Sequence, residues 1–218
     1  MKDRLAAIED RIVRACARAG RSREGVTLIA VSKTFPAAAI EEAYTLGLRE
    51  FGESYVQEFE NKRPVIVNAR EARYHLIGHL QSNKARKAAE LFQTIQTVDS
   101  VKLARKLADT GGALRVMIEV KLSNEESKHG AAPEELGAIV EAVRASPSLT
   151  LEGLMTIPPY SSDPETARPY FSKLRELAAR YSLESLSMGM SGDFEVAIEE
   201  GATHIRVGTA LFGERVYS

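Results

Sequence analysis

Residues 28–36 read LIAVSKTFP. An apolar, β-forming run ends in Ser32-Lys33, so a lysine stands at the inner end of a buried strand. Burial disfavours the ammonium and pushes its pKa below the reference of about 10.4, which frees the amine as a nucleophile. A neutral amine condenses with an aldehyde or ketone to give a Schiff base. Farther along, residues 187–193 read SMGMSGD, and Gly208-Thr209 open a short final turn. Loops of this kind, rich in glycine and hydroxyls and leading into helices, present backbone N–H groups to an anion such as phosphate. The hydroxyls of Ser191 and Thr209 add hydrogen bonds. A Schiff-base lysine facing a phosphate cradle is the layout for pyridoxal phosphate, and equally for a phosphosugar aldolase. Arg206 bears on the choice. A pyridine nitrogen is partnered in such sites by Asp or Arg. A guanidinium only donates, so it keeps that nitrogen unprotonated and the ring a poor electron sink. Plainer readings exist for each residue: a lysine that snorkels from the rim or pairs with Glu53, glycines that merely turn, a Ser191 N-cap, an arginine in a salt bridge.

These residues must be brought to one place by the elements around them. The chain alternates short β-branched runs with helical patterns. Strands are predicted at 27–32, 50–52, 74–77, 95–98, 114–120, 150–155, 185–187 and 204–207. Helices are predicted at 36–47, 55–69, 83–91, 100–110, 133–145, 164–181 and 191–200, with a last turn at 209–212 and Ser100 as an N-cap. Continuous apolar strands joined by helices are those of a parallel sheet buried on both faces. Eight such units predict an α/β fold, a (β/α)8 TIM barrel, with a doubly wound open sheet as the alternative. In such a barrel, residues at the strand C-termini share one rim, and the loops after the seventh and eighth strands form its recurrent phosphate site.

Bulk properties narrow the class. The chain has 218 residues, 44% hydrophobic and 27% charged, as in an ordinary globular protein. A formal net charge of −1 provides no global field for nucleic acid or an anionic membrane. No apolar run approaches the roughly 20 residues of a membrane span, and the N-terminus lacks the apolar segment of a secretory signal. It reads as an extra amphipathic helix with Leu5, Ile8, Ile12 and Cys16 on one stripe. One cysteine forms no internal disulfide and packs on that stripe, which points to a reducing, cytoplasmic setting.

The segments AVSKTFP, FGESYVQE, HLIGHLQSNK, GLMTIPP and LSMGMSGDFEVAIEEGATHIRVGTALFG resemble the pyridoxal phosphate homeostasis family, which is related to the N-terminal barrel domain of bacterial alanine racemase. The resemblance runs from about residue 26 to 213. It implies one domain over 1–218, a barrel of the fold-type III class holding pyridoxal 5′-phosphate (PLP). Lys33 matches the family's Schiff-base lysine, and Arg206 the arginine facing the pyridine nitrogen. Ser191, Gly208 and Thr209 match its phosphate-binding groups. Met188, Gly189 and Met190 would line the ring pocket or shape its loop. Ser54 stands where the family shows Asn near the ring; being shorter, it would reach the cofactor only through water. Lys128 matches a lysine proposed as a secondary site for B6 vitamers.

The resemblance further implies a carrier or regulator that buffers or delivers PLP, with apo-PLP enzymes as recipients and no catalytic or metal-ligating residue. The chain ends at Ser218, directly after the eighth unit. The β-rich domain that gives a racemase its tyrosine base is therefore expected to be absent, and a monomer is expected with it. Tyr55 is expected to start a helix and pack, His204 to be structural, and His79 to lie on the rim. A low-activity amino-acid racemase is the alternative function. An aldolase fits poorly, because no carboxylate or tyrosine base is evident at the ends of strands four to six.

Overall fold

Short β-branched runs that are apolar on both faces have only one stable arrangement when helices separate them: parallel pairing, with the helices outside. In the computed structural model, which describes residues 1–123, 125 and 129–214, eight parallel strands close in chain order into a barrel. They are β1 (Thr27–Val31), β2 (Glu50–Glu53), β3 (Arg73–Leu76), β4 (Thr94–Val98), β5 (Leu114–Glu119), β6 (Leu149–Met155), β7 (Ser185–Ser187) and β8 (His204–Val207). Closure is made by β1 on β8, from Thr27 opposite His204 to Ala30 opposite Val207. The expected (β/α)8 barrel is thus observed, and the open sheet is not.

The outer layer holds α2 (Ala37–Thr45), α3 (Val56–Lys62), α4 (Ala85–Leu91), α5 (Val101–Ala108), α6 (Leu136–Arg144), α7 (Arg168–Arg180) and α8 (Phe194–Glu199), one after each strand. Among the described residues, β8 is followed by α9 (Thr209–Phe212), too short to cover a strand. The N-terminal helix α1 (Lys2–Arg18) takes the vacant place. Its apolar stripe buries Ile8, Ile12, Ala15 and Cys16, while Arg11 pairs with Glu195 of α8 at 2.9 Å and the Met1 amine reaches Glu42 of α2 at 3.5 Å. Between barrel and helices, Phe59 packs on Tyr74 at 4.6 Å and on Phe92 at 4.9 Å between ring centres.

Several helices are shorter than the sequence pattern predicts. The stretch 55–69 is helical only over α3, because Pro64 has no N–H and its ring collides with the carbonyl four residues back. The chain continues there as a 3-10 turn, Arg63–Val65. Helix α8 starts at Phe194, since the Met190 N–H bonds to Asp193 Oδ1 at 2.6 Å and closes 190–193 as a turn. Ser100 caps α5 as predicted, its hydroxyl accepting from the Leu103 N–H at 3.2 Å. Among the described residues, no helix is long and apolar enough to cross a membrane.

Candidate functional site

Strand β1 delivers Lys33 to the C-terminal rim two residues past its end, half-buried at the start of a sharp turn. The turn is strained. Thr34 has φ 68, a left-handed value that costs a β-branched residue on the order of 1–3 kcal/mol. Two bonds hold it: the Phe35 N–H to the Ser32 carbonyl at 3.1 Å, and the Thr34 N–H to Glu58 Oε1 at 2.6 Å. Beneath lies a buried ionic cluster. Lys62 Nζ donates to Glu53 Oε1 at 2.8 Å, to Glu58 Oε1 at 2.9 Å and to the Ser32 carbonyl at 3.1 Å. The Ser32 hydroxyl donates to Glu53 Oε1 at 2.8 Å. Burial raises the pKa of Glu53, and the Lys62 ammonium opposes that rise. Its other oxygen, Oε2, has no hydrogen-bond partner among the described residues.

On the other flank of β1, away from β2, its neighbour β8 and then β7 deliver the two glycine-rich loops. Gly189 has φ 91, and a Cβ there would lie 2.6 Å from Ala197 Cβ, so the loop is built on a position only glycine fills. Ser191 Oγ accepts from the N–H groups of Gly208 and Ala210 at 3.3 and 3.4 Å, bringing the two loops together. A Cβ on Gly208 would meet Val31 at 3.4 Å, so the backbone here packs close to the end of β1. Ser191, Gly208 and Thr209 together line one cavity, and hydroxyls beside main-chain N–H groups suit a phosphate. Asp193 sits behind it; burial raises its pKa, while the Met190 N–H bond and the charge of Arg206 lower it.

Arg206, 3% exposed, points inward from β8. Its two terminal nitrogens donate to Ser187 Oγ at 2.7 Å and to the Thr156 carbonyl at 2.9 Å. Its partners are a hydroxyl and a carbonyl; among the described residues no carboxylate pairs with it directly. Burial lowers its pKa to about 10, with Glu119 and Asp193 acting against that shift from farther away. Ser187 continues inward. Its hydroxyl donates to Gln96 Oε1 at 2.7 Å, Gln96 Nε2 meets His75 Nδ1 at 3.0 Å, and His75 Nε2 meets Glu50 Oε2 at 2.8 Å. Read from the arginine, each group donates to the next. The line assigns the Nε2–H tautomer to His75 and fixes the amide of Gln96.

Two cavities open at this rim, and Lys33 lines both. One, of about 470 Å³, is lined by Lys33, Met190, Ser191, Arg206, Gly208 and Thr209 among others. The fold therefore gathers six of the seven residues expected at a cofactor around a single space. Ser54 is the seventh. It lines the other cavity, of about 610 Å³, together with Lys33, His79, Lys84 and Glu119. Met188 is fully buried in the core and touches neither. Lys128 lies outside the described residues.

Comparison with known proteins gives this geometry a lineage. A family model described as the alanine racemase N-terminal domain matches residues 4–216. The chain is 46% identical over 221 residues to the pyridoxal phosphate homeostasis protein of Pseudomonas aeruginosa, across 99% of this chain and 96% of that one. The chain belongs to the pyridoxal phosphate homeostasis family. A solved structure, PipY of Synechococcus elongatus PCC7942 with PLP bound, matches at a TM-score of 0.83 and 39% identity, over 93% of this chain and all of that one. Alanine racemase of Clostridium difficile 630 is 15% identical and matches at 0.73 over 99% of this chain and 58% of its own; it shares the barrel.

Within this family frame, two expectations need correction. Tyr55 does not pack; it is the N-cap residue of α3, 59% exposed, on the wall of the larger cavity. Of the plainer readings, Glu53 is taken up by Lys62 at 2.8 Å. A carboxylate does stand at the end of β5: Glu119 lines the larger cavity, and it was hidden because the predicted strand ran on to residue 120. His79 is on the rim as expected, stacked on His129 at 4.0 Å and 3.4 Å from Asp99 Oδ2. His204 lies at the opposite end of the barrel, where burial above all pushes its pKa down to about 4. Lys62, Glu58, Gln96 and His75 were not foreseen. The signal for the last two was available: a polar residue at the centre of a strand that must be buried on both faces.

Proposed function

We propose that the protein holds PLP as a reversible Schiff base on Lys33 and buffers or delivers it in vitamin B6 homeostasis, without catalytic turnover. The observation that carries this reading is the convergence of Lys33, Arg206 and the Ser191–Gly208–Thr209 donors on one cavity. The relatives' name and the PLP-bound structure of PipY support it. The donor set fits the cofactor: main-chain N–H groups and hydroxyls for a dianionic phosphate, a donor-only guanidinium for a pyridine nitrogen, a rim amine for an aldehyde. When bound, PLP supplies an aldehyde that condenses with amines. Ser191, Gly208 and Thr209 would hold its phosphate, Arg206 would face its ring nitrogen, Met190 would line the ring pocket, and Lys33 would hold the aldehyde carbon. Ser54 reaches it through water from the neighbouring cavity.

On this reading residues 1–218 act as a single PLP-binding domain, monomeric and cytoplasmic, that also takes other B6 vitamers and hands PLP to apo-enzymes, with no part for nucleic acid or membrane. The test is borohydride reduction of the protein mixed with PLP, followed by peptide mass mapping. A pyridoxyl adduct on Lys33, absent from Lys33→Ala with its fold intact, is the expected result. An adduct confined to another lysine overturns the assignment. Incorporation of solvent deuterium at Cα of alanine at an enzymic rate would replace the carrier with a racemase.

A further inference from the structure

The peptide groups on both sides of Lys33 are fastened to the same buried cluster. On one side the Ser32 carbonyl accepts from Lys62 Nζ, and the Ser32 hydroxyl donates to Glu53. On the other the Thr34 N–H donates to the very oxygen of Glu58 that Lys62 also holds. One ammonium, on a different element from Lys33, thus closes a ring of bonds around the turn that carries it. Thr34 is left-handed there, a conformation that persists only when its surroundings impose it. Lys62 is 8% exposed and Glu53 fully buried. Burying such charges is costly, and apolar side chains of the same volume commonly serve stability as well or better. The cluster calls for a reason other than stability, and the turn it grips supplies one.

We propose that Lys62 is a positioning residue for Lys33: through Ser32, Glu53 and Glu58 it holds the turn in the left-handed form that aims the Lys33 amine into the cavity. The proposal rests on the reading of Lys33 as the covalent anchor. It acts on the anchoring bond and not on the phosphate or ring contacts, which come from β7 and β8, whereas the cluster lies on the β2 side of β1. A ligand with no aldehyde therefore binds without its help.

The test compares two ligands on three proteins. Pyridoxamine 5′-phosphate carries the same ring and phosphate but has an amine in place of the aldehyde. In Lys62→Met, affinity for PLP should fall at least tenfold, while affinity for pyridoxamine 5′-phosphate stays within twofold; Lys62→Arg should recover most of the loss. In the cofactor-free protein, hydrogen exchange at the Thr34 amide should quicken at least tenfold in Lys62→Met, with distant strands unchanged. Equal losses for both ligands, or an unchanged Thr34 amide, would show a merely structural lysine and overturn the proposal. Should Lys62→Met fail to fold, Glu58→Gln removes one arm of the ring from a partly exposed position, and the same two readouts apply to it. If the wild-type protein gives no borohydride-fixed adduct on Lys33, the anchor reading itself has failed; an adduct that Lys62→Met forms equally well sinks this inference alone.

Discussion

Ser187→Ala removes one oxygen atom from the middle of the barrel, and its cost follows from two bonds. Ser187 Oγ accepts from the Arg206 guanidinium and donates to Gln96 Oε1, each at 2.7 Å, in a fully buried position. Alanine leaves a charged N–H without its acceptor, worth about 1.5–3 kcal/mol, and an amide oxygen without its donor, worth about 1–3 kcal/mol. The vacated space is smaller than the roughly 10–15 Å³ that a water needs, so solvent does not repair the gap. The expected loss is about 3–5 kcal/mol, or roughly 6–20 °C in Tm for a chain of this size. Urea unfolding of the cofactor-free protein measures it, read as a lower midpoint with an unchanged slope. A cycle with Gln96→Leu divides the loss. In that background no amide oxygen is stranded, so Ser187→Ala should cost at least about 1 kcal/mol less than it does alone. A loss below about 1 kcal/mol, or a cycle that is simply additive, would mean that Ser187 does not hold Arg206 and that the inward line is not a connected unit.

Three other outcomes are expected. Gly189→Ala forces a Cβ to 2.6 Å from Ala197 at φ 91 and should cost more than about 2 kcal/mol, whereas Gly192→Ala, with nothing within 4 Å of its Cβ, should be near neutral; comparable melting temperatures for the two would refute the loop geometry. His204 stays neutral in the folded protein down to about pH 4, while the unfolded chain takes up that proton near pH 6.5, so stability falls as pH drops through this window by about 3 kcal/mol at most. His204→Asn should flatten that slope in urea midpoints between pH 7 and 4.5. Ile12→Ala opens a hole under α1 and should cost about 2–5 kcal/mol; a negligible change in the unfolding midpoint would mean that α1 does not close the helical layer.

The barrel was legible because short, mostly buried β-runs alternate with single helical stretches eight times, a pattern that leaves only a closed barrel or an open doubly wound sheet. The rim was legible for a related reason: once the strands are placed, Lys33, Arg206 and the two glycine loops fall at C-terminal ends. Helix limits were less so, because the N–H that Pro64 lacks stops α3, the bond to the Asp193 carboxylate delays α8, and both override the periodicity. Lys62 was hidden for a deeper reason. Glu58 and Lys62 are four residues apart, the spacing of an ordinary solvent-exposed pair on a helix. Only the packing of α3 against the end of β1 turns that pair inward, onto Glu53 and the Ser32 carbonyl. Glu119 shows the sensitivity of site reading to strand limits: one residue of error moves a rim carboxylate into the wall.

The donor line from Arg206 to Glu50 has a polarity, and polarity restricts what can replace its members. Each interior link must offer an acceptor upward and a hydrogen downward. Serine, glutamine and neutral histidine do both; a leucine ends the line, and a lysine would set two hydrogens against each other. Change at β3, β4 or β7 is therefore tolerated only in matched steps, so the centre of this barrel should drift through its lineage far more slowly than the apolar shell outside it.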